Sequence, residues 1–400
     1  MALPAFERSI VQTLTSRLRE KRQYIQIIEG PRQTGKSTAI AQSLEKLPCP
    51  IHSAQASQGL ASSQAWLRQQ WEEGRRLAHS GEAILAIDEI QLIKQWPGVV
   101  KSLWDEDTKT DCNLKVVLSG SSSLLLKQGL TEGLTGRFEL IPCYQWDFLE
   151  VKKAFDLTLD QYLFFGGYPG ALAFVDNANR WLSYMENSII APSIFKDVIS
   201  LDSITKPALM ESVFTLGTAY SGQEVSWRKL LGQLDDAGNT TTIAHYVHLL
   251  NDAGLLAGLQ KYSPKLLQSR GSSPRFIAYD TSLMTTNFGP QRDNLLSTPD
   301  LRGHLVECAI GAYLLRRAKK EHFSVTWWRE GSSEVDFVLQ SGTSLTALEV
   351  KSGRVKDTAG LLTFADKYHP TRTLIVGGTQ KPTSESCDLE SFFLGRIPLF

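Results

Sequence analysis

No stretch of this sequence approaches the ~20 consecutive apolar residues that a membrane-spanning helix needs. The opening residues, Met1-Ala2-Leu3-Pro4-Ala5-Phe6-Glu7, also lack the apolar centre of a signal peptide. A cytoplasmic chain without a membrane partner is expected. Cysteine is scarce: Cys49, Cys112, Cys143, Cys308 and Cys387 make five, widely separated and without metal-ligand spacing, so buried reduced thiols without a chemical role are expected. Net charge is missing as well, with 42 Lys+Arg against 42 Asp+Glu, which argues against a general polycation. The balance shifts along the chain, because residues 261–400 carry 18 basic against 14 acidic side chains, a weak pointer to phosphate-bearing partners at that end.

What is present is the composition of a soluble globular protein, 42% hydrophobic and 21% charged over 400 residues, long enough for several domains. Tyr24 to Glu29 is a β-branched apolar run that reads as a buried strand, and Gly30-Pro31-Arg32-Gln33-Thr34-Gly35-Lys36-Ser37 follows it directly. This is G-x-x-x-x-G-K-S in full. Its glycines let successive N–H groups face phosphates, Lys36 reaches the β and γ phosphates, and the Ser37 hydroxyl takes one Mg²⁺ position. The segment from Thr38 is helical in pattern, placing a positive helix end beneath the phosphates. ATP and Mg²⁺ are the expected cofactors.

Ala83-Ile-Leu-Ala-Ile-Asp88-Glu89 is a second apolar strand ending in two carboxylates. In that arrangement Asp88 holds Mg²⁺ through water and Glu89 orients the attacking water as a base. Lys115-Val-Val-Leu-Ser119 is a third buried strand, whose Ser119, or secondarily Ser121, is placed to sense the γ-phosphate or the attacking water. Ser123 to Gln128 reads as helical, and beyond it Gly136-Arg137 supplies either a surface arginine or one that stabilises a transferring phosphoryl group, commonly from a neighbouring subunit.

Together these pieces resemble prokaryotic AAA+-type ATPases of the archaeal-ATPase group that carry a carboxy-terminal domain of unknown function. Asp88-Glu89-Ile90-Gln91, Leu118-Ser119-Gly120-Ser121, Gly136-Arg137, Gly166-Gly167-Tyr168-Pro169, Asp280-Thr281, Glu307, Glu334-Val335-Asp336 and Glu349-Val350-Lys351 accompany the glycine-rich loop in that resemblance. It implies an α/β fold with a P-loop AAA+-like αβα core over 1–150 and a helical lid over 151–221. It also implies a homo-oligomer with ATP sites near subunit boundaries. Pro169 then looks like a lid proline lying against the nucleotide; by itself, Gly166 to Gly170 reads only as a turn.

Glu224 to Gln233, a turn at 235–239, a helix from Thr240 to Asn251 and a strand over Leu255 to Tyr262 resemble a winged-helix module, assigned to 222–262. Its second helix contains no Lys or Arg, only His245 and His248, which favours a structural or protein-contact role over base reading.

Residues 263–400 form the last expected domain. Leu301 to Arg317 reads as an amphipathic helix carrying Glu307, followed by a strand near Val325 to Arg329 and by Glu334–Leu339 and Ser344–Lys351, joined as a hairpin. Alternation puts Glu349 and Lys351 on one face and Asp336 opposite the face of Val335, Phe337 and Leu339. Asp336, Glu349 and Lys351 can thus meet, as metal-dependent phosphodiester hydrolysis requires. The order resembles the restriction-endonuclease-like fold, with Glu307, Asp336 and Glu349 as metal residues and Lys351 as the catalytic lysine. Val335 departs from that pattern, where proline precedes the aspartate. Arg316-Arg317-Ala-Lys319-Lys320, with Lys351, Arg354 and Lys356, offers a phosphate-backbone track. The combined expectation is an oligomeric ATPase that switches a nuclease-like tail on DNA, branched or structured forms included. The alternative is a nucleotide-regulated signalling or scaffold ATPase whose tail contacts protein and cuts nothing.

Overall fold

The computed structural model describes residues 3–59, 62–120, 133–198, 204, 206–234, 239–264, 272–352, 358–377 and 386–400. The chain divides into two compact units, Met1–Tyr144 and Gln145–Phe400. Ser121, the 123–128 segment, most of the 235–239 turn, Arg354 and Lys356 lie outside the described residues.

The first unit is built on five parallel strands, β1 (Ile25–Glu29), β2 (Ile51–Gln55), β3 (Ala83–Asp88), β4 (Leu114–Gly120) and β5 (Phe138–Pro142), in the order β2-β3-β4-β1-β5. Their nearly unbroken apolar sequences reflect burial on both faces. Ile27, Leu85 and Val116 share one core with Leu67 and Trp71 of α3 (Gln64–Ala78) and Leu103 and Trp104 of α4 (Trp96–Lys109). Ile28, Ile84 and Val117 share the other with Val11 and Leu14 of α1 (Ser9–Arg19) and Ala39 and Ile40 of α2 (Lys36–Leu44). This order interposes β4 between β1 and β3, so the ends of the three strands that carry the expected phosphate loop, Ser119 and Asp88 lie side by side.

In the second unit, helices occupy much of 148–219, as expected for that stretch. Two of its sequence motifs meet in one buried knot. Asp280 accepts the Gly167 N–H at 2.8 Å through one carboxylate oxygen and the Ser282 N–H at 3.0 Å through the other. A Cβ at Gly166 (φ +73°) would lie 1.9 Å from Asp280 Oδ1, and one at Gly167 would lie 2.0 Å from the Trp146 carbonyl oxygen. Glycine is required at both positions by close approach. Pro169 opens the short helix Pro169–Leu172 immediately after this knot.

Helices Trp227–Leu231 and Thr240–Asp252 precede an antiparallel ribbon of β6 (Leu256–Leu259) and β7 (Arg275–Ala278). Asn239 caps the second helix through the Thr242 N–H at 2.9 Å. The strand is shorter than the 255–262 expected, and its partner β7 lies beyond residue 262, so the ribbon straddles the boundary placed there from sequence.

A second sheet contains β8 (Ser324–Glu330), β9 (Ser333–Ser341), β10 (Ser344–Lys351), β11 (Arg372–Gly377) and β12 (Ser386–Cys387), in the order β12-β11-β10-β9-β8. The β8-β9-β10 meander is antiparallel, whereas β10-β11-β12 is parallel, with helix Ala359–Tyr368 between β10 and β11. Helix Pro299–Glu321 precedes the sheet. Strict alternation fails on β9. Trp328 pairs with Val335 but Thr326 pairs with Val338, leaving one extra residue on β9. Val335 and Val338 consequently share one core with Leu361 and Phe364, where regular alternation would separate them. The bulge falls at Asp336–Phe337, beside the expected acidic site.

Candidate functional site

The loop from Gly30 to Ser37 is shaped by its tight passage past the end of β5. A Cβ on Gly30 would sit 2.0 Å from the Cys143 carbonyl oxygen, which excludes any larger residue without rearrangement. Buried Thr34 ties the loop to itself and to its neighbour, its hydroxyl donating to Pro31 O at 3.0 Å and Cys143 O at 2.9 Å. Pro31, Arg32 and Gln33 make the turn, with Gln33 at φ +61°, and Gly35 at φ +90° leads into α2 at Lys36. Arg8 braces the loop from the amino-terminal side by donating to Thr34 O at 2.9 Å and Tyr144 O at 3.0 Å. The Lys36 ammonium is buried against the loop, donating to Gly30 O at 2.9 Å and Pro31 O at 2.6 Å.

Asp88 stands where three elements converge. Ser37 at the start of α2 donates to its Oδ2 at 2.6 Å, Ser119 on β4 donates to its Oδ1 at 2.5 Å, and the Glu89 N–H reaches Oδ1 at 2.9 Å. Glu89 follows β3 with φ +56°, and its carboxylate accepts from the Gln91 side chain. Ser37, Asp88 and Ser119 open onto a cleft of about 270 Å³ whose wall continues along Ile40, Ala41 and Gln55. Thr38 follows Ser37 within α2. Arg137 is engaged elsewhere, in a two-pronged ion pair with Asp105 of α4 at 2.6 and 3.0 Å. That bond holds the Asp105 carboxyl below the usual range and raises the guanidinium.

The second unit gathers its expected acids differently from the sequence reading. Asp336 Oδ2 accepts the Val350 N–H at 2.8 Å, so β9 and β10 do bring Asp336 beside Glu349 and Lys351. Lys351 Nζ donates to Glu349 Oε1 at 2.6 Å, confirming their shared face, while Glu349 Oε2 is buried without a hydrogen-bond partner. Arg275 from β7 enters the same cluster. Its Nη1 donates to Asp336 Oδ1 at 3.0 Å and lies 3.9 Å from Glu307 Oε2, and its Nη2 donates to Glu334. Burial, followed by the charge of Asp336, pushes Glu307 up to about 8. The same two causes push Glu349 up to about 7. Lys351 is raised despite its burial, by Glu349 and the other acids. Among the described residues, no group of three or more His, Cys, Asp or Glu side chains is arranged to hold a metal ion. Glu307, Asp336 and Glu349, the acids expected to bind metal, lie in one cluster with the Arg275 guanidinium, which contacts Asp336 and Glu334 and approaches Glu307. The basic track is also reduced, because Arg316 is buried and donates to Tyr279 O and the Tyr162 hydroxyl, and Arg317 pairs with Glu321.

With the loop, Asp88 and the strand order in view, the first unit can be placed. Residues 22–152 match the family described as an AAA domain. Over those residues the chain is similar to that family, and the first unit has the αβα fold of a P-loop AAA+-like core. Residues 156–292 and 302–392 match two families described only as domains of unknown function, DUF8612 and DUF4143. A protein of Haemophilus influenzae described as uncharacterized is 22% identical over 385 residues, covering 88% of this chain and 89% of its own length. Among solved structures, the Walker-type ATPase PABY2304 of Pyrococcus abyssi is 14% identical with a TM-score of 0.49, covering 71% of this chain and 98% of its own. The Thermotoga maritima RuvB Holliday junction branch migration motor is 18% identical, TM-score 0.32, covering 66% of this chain and 93% of its own. The Aeropyrum pernix ORC1 protein in complex with DNA is 11% identical, TM-score 0.29, covering 74% of this chain and 94% of its own.

The AAA+ site passes a chemical test for Mg²⁺. Ser37 Oγ and Asp88 Oδ2 are hard oxygen donors 2.6 Å apart, and Mg²⁺ characteristically takes one or two protein oxygens, with phosphate and water completing its octahedron. The carboxylate cluster in the second unit does not pass, since a cation, the Arg275 guanidinium, already stands at Asp336 Oδ1 and near Glu307. Two residues of these sites escape a sequence reading. Arg8 carries no local signal for its contacts. Arg275 does carry one, as a lone charge in the otherwise apolar strand Arg275-Phe276-Ile277-Ala278.

Proposed function

We propose that the chain binds and hydrolyses Mg²⁺-ATP at Gly30–Ser37 and uses that cycle to control its second unit. The observation that carries the ATPase reading is the convergence of the Ser37 and Ser119 hydroxyls on the two oxygens of Asp88. Bound Mg²⁺-ATP supplies the γ-phosphoryl group and its neutralising cation. In this reading Gly30 to Thr38 cradle the phosphates through backbone N–H groups, and Lys36 leaves the Gly30 and Pro31 carbonyls to contact them. Ser37 and Asp88 hold the cation, Ser119 orients Asp88, and Glu89, steadied by Gln91, aligns the attacking water. Arg137 acts across a subunit boundary in a homo-oligomer, and Pro169 belongs to the lid. The lid, winged-helix-like module and nuclease-like domain follow in that order in the second unit.

For that unit we favour a DNA-contacting domain with a restriction-endonuclease-like layout. Support comes from the order helix, three antiparallel strands, helix and parallel strand, with Asp336, Glu349 and Lys351 on adjoining strands. ATP turnover measured with linear, forked and junction DNA tests the association. Stimulation by at least one form is expected, and failure of all three to bind or stimulate refutes it. A non-cleaving scaffold is the competing reading, favoured by one observation, the ion pairing of Arg275 with the acids that cleavage would need. Cleavage of any of these DNAs with Mg²⁺ or Mn²⁺, lost in Asp336→Ala, would exclude it.

A further inference from the structure

Arg275 is an unusual residue for the inside of a ribbon. β7 pairs with β6 through Leu259↔Arg275, and an isolated bridge joins Arg275 to Glu224. Phe276, Ile277 and Ala278 are fully buried, which fixes the strand by apolar packing. The Arg275 side chain is only 5% exposed, and it points its guanidinium into the acids of another structural element. A buried arginine is tolerated when its donors meet carboxylates, and here Asp336, Glu334 and the more distant Glu307 supply them. Its partners are acids on β9 and on the helix Pro299–Glu321, together with the Asp336 carbonyl at 3.3 Å. Across β10, Glu349 Oε2 remains buried without a partner, leaving a strong acceptor unused beside an occupied one.

We infer that Arg275 is a built-in cation that fills the space between Asp336 and Glu307 and thereby keeps divalent metal out of the second unit. This inference rests on the nuclease-like reading only for the purpose of the acids, not for the exclusion itself. A guanidinium satisfies acids as a metal would, through charge and directed contacts, but it supplies no open coordination position and activates no water. A divalent ion entering beside it would meet like charge at contact distance in a desolvated setting. Metal access then requires that the Arg275 side chain leave Asp336 and Glu307.

Mn²⁺ binding to the full, nucleotide-free chain, followed by electron paramagnetic resonance, tests this. Background binding at the phosphate loop cancels when each protein is compared with its own Asp336→Asn partner. Wild type and Asp336→Asn should bind Mn²⁺ identically. Arg275→Met should acquire one further Mn²⁺ per chain, and Arg275→Met combined with Asp336→Asn should lose it. Arg275→Gln, which keeps donors for Asp336 but removes the charge, replaces Arg275→Met if circular dichroism shows that variant unfolded. Loss of a wild-type Mn²⁺ ion on Asp336→Asn overturns the inference, as does a folded Arg275 variant that gains none. DNA cleavage in the same samples separates the two claims. An Arg275 variant that gains Mn²⁺ yet leaves every DNA intact sinks the nuclease reading and keeps the exclusion, whereas Asp336-dependent cleavage by wild type does the reverse.

Discussion

Replacing Ser119 by alanine removes one oxygen from a residue that is 0% exposed, and the consequences can be worked through bond by bond. The lost contact is the 2.5 Å hydrogen bond to Asp88 Oδ1, but that oxygen keeps the Glu89 N–H at 2.9 Å, and Oδ2 keeps Ser37 at 2.6 Å. A hydrogen bond to a charged group contributes about 1.5–3 kcal/mol. Because Asp88 is only half-buried and retains its other donors, the lower end applies. A barrier increase of about 1.4 kcal/mol corresponds to about a tenfold fall in kcat. In the proposed reading the loop, not Ser119, cradles the nucleotide, so KM for ATP should stay within about twofold of wild type. Steady-state phosphate release over a range of ATP concentrations reads both constants. A kcat unchanged within twofold would refute the idea that Ser119 holds Asp88 in its working position. A large rise in KM with unchanged kcat would instead mean that Ser119 supports binding.

Three further outcomes are expected. Gly166→Ala should destabilise the second unit by more than about 3 kcal/mol in urea unfolding followed by tryptophan fluorescence, since a left-handed residue alone costs about 1–2 kcal/mol and its Cβ would also lie 1.9 Å from Asp280 Oδ1; a change below about 1 kcal/mol would contradict the knot. Mixing Arg137→Ala with Lys36→Ala, each expected to be inactive alone, should restore part of the ATP turnover if sites are shared between subunits, and no recovery at any concentration argues against shared sites. Cys308, which burial pushes up to about 12, should resist alkylation at neutral pH in the folded chain and react after denaturation; mass spectrometry showing rapid native labelling would place it differently.

How much of this was legible in sequence follows from how local each signal is. The phosphate loop was readable because its glycines, Lys36 and Ser37 are contiguous and its flanking strand and helix are buried in a simple pattern. Asp88 and Ser119 were readable because each ends an apolar strand, and parallel pairing brings such ends to one edge. The β9–β10 pairing is readable from the short connection, but the bulge at Asp336–Phe337 is not, since it depends on Trp328 and Thr326 of β8 pairing with Val335 and Val338 of β9. Arg275 and Asp336 are 61 positions apart, and no periodicity connects them. Likewise the Arg316 run read as a solvated basic track because spacing does not reveal that Arg316 turns inward to Tyr162 and Tyr279. By spacing alone the glycine pair at 166–167 reads only as a turn, because its partner Asp280 lies 113 positions away.

The most direct measurement of the central claim is ATP turnover by the purified full chain with Mg²⁺, compared with Lys36→Ala and Asp88→Asn. Both variants should remain folded by circular dichroism, since the apolar cores on the two faces of the parallel sheet are untouched by either substitution. Wild type should release phosphate in a Mg²⁺-dependent way, and each variant should lose at least about 100-fold of that rate. Turnover that survives both substitutions, or a wild-type chain that neither binds nor hydrolyses ATP, would contradict the account.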